Sequence, residues 1–490
     1  MRVRRCLAVV AVVLLALAAA RATEFTKGPC LQAVTTASVT VMWEVDDPGQ
    51  AAVEYGVTRQ LGQSVAVTEE GGLRKARIEG LTPGRTYYYA VTDGKAKSAT
   101  CAFRTLPESG PFVFAAYGDS RTGVRDHARV VEKMAKYDPL FTLHVGDFVW
   151  DGRQADEWGP QFFEPAAALL RKSPVFAVAG NHEYESKLFY RYLGAASGKP
   201  WYSFDCANAH FVMLDSCLPL EPASEQYQWL AADLSATDKR WRFAVFHYPL
   251  YSSGKYRSDV ALRRAIEPVL QKYDVDVVFV GHDHDYERTR PIVSAFGKVH
   301  PIIHVVTGGG GAWGRGVAGD FFSATALSTL DFCIVKIDGD TLDFAAYNGG
   351  GQRIDWFTIR KSGDGYADGY PGDTAPMEQA AVEGGVEEAL APREIAAATA
   401  ARTDKVRFEF TAPSWSGLTL DLEWHNPFFG TKVSPAKAHI EIPAGATAAL
   451  PADLRVSAKG RSVPTVSVTG KTSLGRFSFT AAPFKFAKAG

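Results

Sequence analysis

The sequence predicts a multi-domain protein in which a β-sandwich precedes an α/β core and a second β-sandwich follows it. Three observations carry this expectation. The chain has 490 residues, too many for one ordinary hydrophobic core, so about three folding units are expected. Short runs of alternating apolar and polar residues occupy both ends of the chain, the period of half-buried strands. Between them, continuous apolar runs alternate with segments of helical period, as in a sheet covered by helices.

Residues 1–22 read as a signal peptide. Basic MRVRR leads into an apolar run from Cys6 to Ala20, and Ala20-Arg21-Ala22 forms a small-x-small cleavage site before Thr23. That run is short for a spanning helix and nothing later is longer, so no transmembrane segment is expected after removal. Loss of Arg2, Arg4, Arg5 and Arg21 takes the formal charge from -1 to -5. A weakly acidic surface argues against nucleic-acid or anionic-membrane binding, and the signal points to a secreted, periplasmic or cell-envelope location. Disulfides persist in such compartments. Of the five remaining cysteines, Cys30 and Cys101 lie near the two ends of the first domain and are expected to form a staple, while Cys333 within FCIVKI reads as a small buried hydrophobe.

Residues 23–108 form the first sandwich, with stretches such as ASVTVMWEV and TYYYAVTDG separated by Gly, Pro and Asp turns. Residues 109–361 form the α/β core. One of its helices is SDVALRRAIEPVLQKY, with Ser258 as cap and Leu262, Ile266, Val269 and Tyr273 on one face. Residues 362–403 turn to Gly, Ala, Glu and Pro, the composition of a solvated linker without a core, holding at most a short helix near EEALAPREIAAAT. Residues 404–490 return to alternation in VRFEFTA, LTLDLEW and GRFSFTAA, a second small sandwich.

Chemistry is concentrated where the apolar strands end. FVFAAYGD ends at Asp119, FTLHVGD at Asp147, VFAVAGNHE at Asn181 and His182, FAVFHYP at His247, and VVFVGHDHD at His282 and His284. The carboxyl ends of strands in open α/β sheets converge on one crevice, so residues far apart in sequence can meet there. Singly, each of these is an ordinary cap, turn or satisfied histidine. Together they make a set of oxygen and nitrogen donors for which folding alone has no use. Glycines 118, 146, 180 and 281 stand beside them, consistent with tight turns.

GDS, GDFVW, GNHE, AVFH and GHDH stand in the order of the five blocks of the metallophosphoesterases, the calcineurin-like phosphoesterase superfamily. GHDHDYER and TGGGGAW resemble purple acid phosphatases in particular. GPCLQ, GLTPGRTYYYAV and FRTLP resemble the fibronectin type III module that precedes their catalytic domain, and HNPFFGTKVSPAKAHIEIPAG resembles bacterial immunoglobulin-like modules. The resemblance covers residues 25 to 360 and implies a four-layer α/β/β/α core. It implies two metal ions, divalent or trivalent Fe, Mn or Zn. One would be held by Asp119, Asp147 and His284, and the other by Asp147, Asn181, His247 and His282, with Asp147 bridging. It also implies hydrolysis of a small-molecule phosphate ester, monoesters first, by a hydroxide generated on the metals. A phosphodiesterase or nucleotidase on the same site, or an envelope binding protein with a decayed core, is the alternative.

His182 would face the substrate as a proton donor or charge stabiliser, or else orient Asn181. Arg121 is either a phosphate contact or a surface residue. TGGGGAW is either an amide-presenting loop or a flexible turn. The sequence departs from the family at two places. Trp150 stands where purple acid phosphatases carry a ligand tyrosine, and Arg121 where other metallophosphoesterases carry a histidine. The first metal therefore keeps three implied ligands, and water, another side chain or weak binding must account for the gap.

Overall fold

The computed structural model describes residues 24–487, apart from 195–197, 298, 364–369, 371–372, 397–400, 428–429 and 459–461. The expected signal peptide lies outside the described residues. No helix among the described residues is long and apolar enough to cross a membrane.

The leading sandwich packs the sheet ordered Phe25–Gln32, Val39–Val45, Leu73–Ile78, Thr68–Glu70 against a second built on Ala51–Gly56 and Thr86–Asp93. Alternation places Val39, Val41 and Trp43 inside with Val53, Tyr89 and Val91. The Trp43 indole N–H donates to Asp93 Oδ2 at 2.9 Å, so the buried ring leaves no polar atom unpaired. The expected staple does not form. Cys30 and Cys101 are both free thiols, because Cys30 faces Met42, Leu73 and the aromatic cluster around Trp158 and Phe163, whereas Cys101 packs against the other cluster, inside the sandwich. Burial pushes the Cys30 thiol up to about 12, so it behaves as an interface hydrophobe.

The core has two sheets face to face. Six strands run in the order Val175–Ala177, Phe141–His144, Phe112–Tyr117, Asp331–Asp338, Thr341–Asn348 and Arg353–Arg360, the first three parallel. Seven run in the order Tyr202–Cys206, Ala209–Met213, Trp241–Val245, Val277–Val280, Ile303–Thr307, Tyr286–Thr289 and Ser323–Leu327, with a parallel centre. Phenylalanines fill the space between the sheets, Phe114 meeting Phe211 and Phe243 edge-on at 5.3 and 5.4 Å. Helices Val124–Met134 and Glu164–Leu170 cover one outer face, and Glu225–Ala236 and Val260–Lys272 the other. The result is the four-layer α/β/β/α arrangement. The cap of Val260–Lys272 is Asp259 rather than Ser258: its Oδ1 accepts from the Leu262 N–H at 2.9 Å, while the Ser258 hydroxyl is engaged with the Ser252 N–H.

The stretch expected as a solvated linker is instead structural. Helix Met377–Ala389 and strand Arg393–Ile395 bury Val382, Val386, Leu390 and Ile395 in the core of the C-terminal sandwich. The apolar side chains recur every four residues, a one-sided stripe that the Gly- and Glu-rich composition hides. Glu383 and Glu387 of this helix each meet Arg257 of the core at 2.7 Å. Beyond it, strands Arg402–Thr411, Thr447–Val456 and Lys432–Ser434 face a four-stranded sheet centred on Leu418–His425 and Thr465–Thr472, enclosing Phe408, Leu420, Trp424 and Phe477.

Candidate metal centre

The parallel strands of both sheets end at one edge, and the loops that follow carry the polar residues. Ligand atoms of Asp119, Asp147 and His247 lie within 4.8 Å of one another, all three residues buried. The amide oxygen of Asn181 is 3.2 Å from His247 Nε2, and His284 Nε2 is 3.5 Å from Asp119 Oδ1. The His282 ring sits 5.2 Å from that of His247 and packs between Tyr248 and Tyr256. All the strand-end residues thus reach one crevice, with His282 on its wall.

Left-handed backbone falls on the polar residues themselves: φ is 54° at Asp119, 57° at Asp147 and 71° at His282. Such conformations cost about 1 kcal/mol or more for non-glycine residues and persist only where surrounding contacts impose them. The contacts are present. The Ala312 N–H donates to the Asp119 carbonyl at 2.7 Å, and the buried Glu183 carboxylate accepts from the N–H groups of Asp147, Phe148 and Gly180 at 2.9, 2.9 and 2.7 Å. Two of the neighbouring glycines serve close approach rather than unusual φ. A Cβ on Gly281 would stand 2.3 Å from Asp119 Oδ2, and one on Gly180 the same distance from Asp147 Oδ1.

Hydrogen-bond accounting separates the two sides of Asp147. His247 Nδ1 donates to the Val145 carbonyl at 2.9 Å, which leaves Nε2 a bare lone pair in the neutral ring. Burial, opposed by the Asp147 charge, holds its pKa down. That lone pair faces two more acceptors, Asn181 Oδ1 at 3.2 Å and Asp147 Oδ1 at 3.4 Å. Three acceptors facing one another with no proton between them call for a cation, and ligand–ligand spacings of this size suit donors about 2.1 Å from a metal ion. On the other side, His284 Nδ1 donates to the Trp313 carbonyl at 2.8 Å, so its Nε2 is also a lone pair, and burial holds its pKa down to about 3. Here two of the acceptors are already served, and Asp119 Oδ1 alone has no donor. Arg121 Nε donates to Asp147 Oδ2 at 3.0 Å and its Nη2 to His284 Nε2 at 3.1 Å.

Arg121 is therefore not a surface residue; it is 5 % exposed and its guanidinium lies against the Trp150 indole, 5.3 Å from the ring. His182 borders the same wall. Its N–H donates to Asp147 Oδ1 at 3.0 Å, its Nδ1 meets the Trp150 carbonyl at 2.6 Å, and its Nε2 is 3.9 Å from Asp147 Oδ2. With Nδ1 so engaged, Nε2 is the nitrogen available to a substrate.

Residues 112–286 match the calcineurin-like phosphoesterase model and residues 30–105 the purple acid phosphatase N-terminal domain. Purple acid phosphatase 21 of Arabidopsis thaliana is 31% identical over 303 residues, which is 55% of this chain and 68% of the relative. The chain belongs to the purple acid phosphatases. They are metal-dependent phosphoesterases, and the family implies a dinuclear centre, of which the Asp119, Asp147 and His247 cluster is the part gathered most tightly. A phosphoenolpyruvate phosphatase of Allium cepa is 28% identical over 304 residues, 54% of this chain and 60% of the relative. A purple acid phosphatase from yellow lupin seeds superposes with a TM-score of 0.59 at 21% identity, covering 69% of this chain and 75% of that one, a likeness of fold.

Several features of this purple acid phosphatase were not visible in its sequence. Glu183 completes GNHE, and the sequence marks it only by its place beside Asn181 and His182. Three of the four glycines of TGGGGAW turn their amides into the fold rather than the crevice. Those of Gly308, Gly309 and Gly310 donate to the Asp285 carbonyl, Asp331 Oδ2 and the Gly118 carbonyl, so the loop braces Asp119 from behind. His144, by contrast, reads as a core histidine from its place inside the apolar run FTLHVGD, and it is buried and stacked on Phe148 at 3.7 Å. Of the tyrosines that stand near these ligands in sequence, Tyr251 and Tyr286 spend their hydroxyls on Glu267 and Asp355, whereas Tyr248 borders the crevice against His282. From His282 and Tyr256 a cavity of about 580 Å³ continues to Leu390 and Phe479, so the C-terminal sandwich forms its far wall.

Proposed function

We propose that the protein is an exported phosphatase that hydrolyses small phosphate monoesters, with Asp147, Asn181, His247 and His282 holding a catalytic metal ion and His182 acting on the substrate. The observation that carries this reading is the set of facing acceptors, Asp147 Oδ1, Asn181 Oδ1 and His247 Nε2, at 3.2 to 3.4 Å beside His182. The oxygen and nitrogen donors suit Fe, Mn or Zn. A metal ion bound there supplies positive charge for the phosphoryl oxygens and acidifies water for attack at neutral pH.

The remaining work belongs to side chains. His247 is kept in one tautomer by Val145, so its lone pair points to the ligand side at every pH at which the ring stays neutral. His182 gives Nδ1–H to the Trp150 carbonyl, which orients the ring, so Nε2 acts as proton donor to the leaving oxygen when the ring carries both protons and as an acceptor when it carries one. Asp147 is held by the His182 and Arg121 N–H groups on its two oxygens, which fixes the carboxylate before substrate arrives. The name of the onion relative, a phosphoenolpyruvate phosphatase, supports a small monoester. Turnover of a chromogenic phosphomonoester and the matching diester, with and without a chelator, tests the proposal. Metal-dependent cleavage of the monoester is expected. Preference for the diester would make the enzyme a phosphodiesterase, and no turnover of either by metal-loaded protein would overturn the reading.

A further inference from the structure

Resting on that metal-dependent reading, we infer that the guanidinium of Arg121 stands in for the first of the family's two metal ions, leaving a one-metal centre beside a fixed protein cation. The first metal's implied ligands are Asp119, Asp147 and His284, and two of these already have their inward-facing atoms occupied. Arg121 Nε takes Asp147 Oδ2 at 3.0 Å and Nη2 takes the His284 Nε2 lone pair at 3.1 Å. That His284 atom can only accept, because Nδ1 donates to the Trp313 carbonyl. A histidine nitrogen fixed as an acceptor and pointed at a buried carboxylate normally meets a metal. Here it meets an N–H.

The chemistry of the neighbouring positions agrees. A guanidinium has no lone pair to give a metal, and an indole N–H only donates; these are the groups at positions 121 and 150. Trp150 covers the guanidinium at 5.3 Å, an arrangement that retains a cation and shields it from water. Arg121 is 5 % exposed, so a divalent ion placed among the same ligands would face a buried like charge at contact distance. Charge also balances better with one ion. Asp119 and Asp147 both lie beside Arg121, which already offsets part of their charge. Asp119 Oδ1 is buried without a hydrogen-bond partner and lies 3.5 Å from His284 Nε2, so it is the one implied ligand of the first ion that Arg121 leaves unserved. A fixed cation does not dissociate, so this half of the site keeps its positive charge at any metal concentration.

The test is metal stoichiometry of the full-length protein, stripped and reloaded with Mn(II), read by elemental analysis and by electron paramagnetic resonance. One equivalent per chain with the spectrum of an isolated ion is expected. Arg121→His, which restores a lone-pair donor beside Asp119, is expected to raise this to two equivalents with a spin-coupled spectrum. Two coupled ions in the unmodified protein would overturn the inference while leaving the phosphatase reading intact. One ion in a folded Arg121→His variant would overturn it too, because the arginine would then not be what excludes the second. No bound metal, with no phosphomonoester turnover, would overturn both readings. Because the unmodified protein alone distinguishes one ion from two, failure of the variant to fold leaves the first comparison decisive.

Discussion

The two sides of Asp147 solve the same electrostatic problem differently. Around His247, the Nε2 lone pair faces two acceptor oxygens, Asn181 Oδ1 at 3.2 Å and Asp147 Oδ1 at 3.4 Å, and no side-chain cation enters. Around His284, an equivalent arrangement of buried carboxylate and fixed imidazole lone pair is closed by Arg121. Both imidazoles are made acceptors by the same device, an Nδ1–H given to a backbone carbonyl. The difference rests on one side chain, and it teaches that preparing a lone pair is separate from choosing the cation that meets it.

Substituting the shared carboxylate should break both sides at once. Asp147→Asn is expected to lose metal and nearly all turnover, and to destabilise the fold by about 3–5 kcal/mol because Arg121 is left buried without its partner. Asp119→Asn, touching one side, should be milder in both measures. Equal losses in metal content and in denaturant midpoint for the two variants would remove Asp147 from the centre of the comparison. His182→Ala should lower turnover by about two to four orders of magnitude with metal content unchanged; loss of metal would instead make His182 an orienting residue for Asn181.

Glu183→Gln sharpens the comparison from behind, since this carboxylate holds the Asp147 and Gly180 amides that shape the open side. Metal affinity is expected to fall about 10–100-fold in a direct titration, with Arg121 and His284 unaffected; unchanged affinity would mean the loop holds its shape alone. The iron-loaded protein should lack a phenolate-to-iron charge-transfer band, because the indole at Trp150 has no ionisable oxygen. A band in the visible spectrum would show a tyrosine on the Arg121 side.

The smallest effect expected comes from a histidine under the opposite influence. Burial lowers the pKa of His210, but its bonds to Asp205 and Asp233 at 2.7 and 2.8 Å outweigh this and raise it to about 9 from 6.5. The folded state therefore favours the imidazolium. This stabilisation is complete below about 6.5 and disappears as pH rises through about 9. Melting temperatures of the wild type and Asp233→Asn should differ at pH 6 and converge above pH 9; a constant gap would mean the pair is not charged.

The local code was legible where it is written in neighbouring residues. Apolar strands ending in Gly-Asp, Asn-His and His-x-His marked the crevice because strand direction alone carries their ends to one edge, and alternation marked both sandwiches because it is the period of a half-buried strand. What tertiary structure decided depends on partners distant in the chain. Arg121 looked like a substrate contact or a surface residue because its acceptors, Asp147 and His284, lie 26 and 163 residues away. Cys30 and Cys101 looked like a staple because proximity to domain ends says nothing of which cluster a side chain enters. The helix Met377–Ala389 looked solvated until the sandwich that buries Val382, Val386 and Leu390 was in place. Periodicity and turn chemistry act over a few residues, so sequence determines them directly; the partner of a buried charge or lone pair is set by packing of whole layers, and only the folded chain brings it within 3 Å.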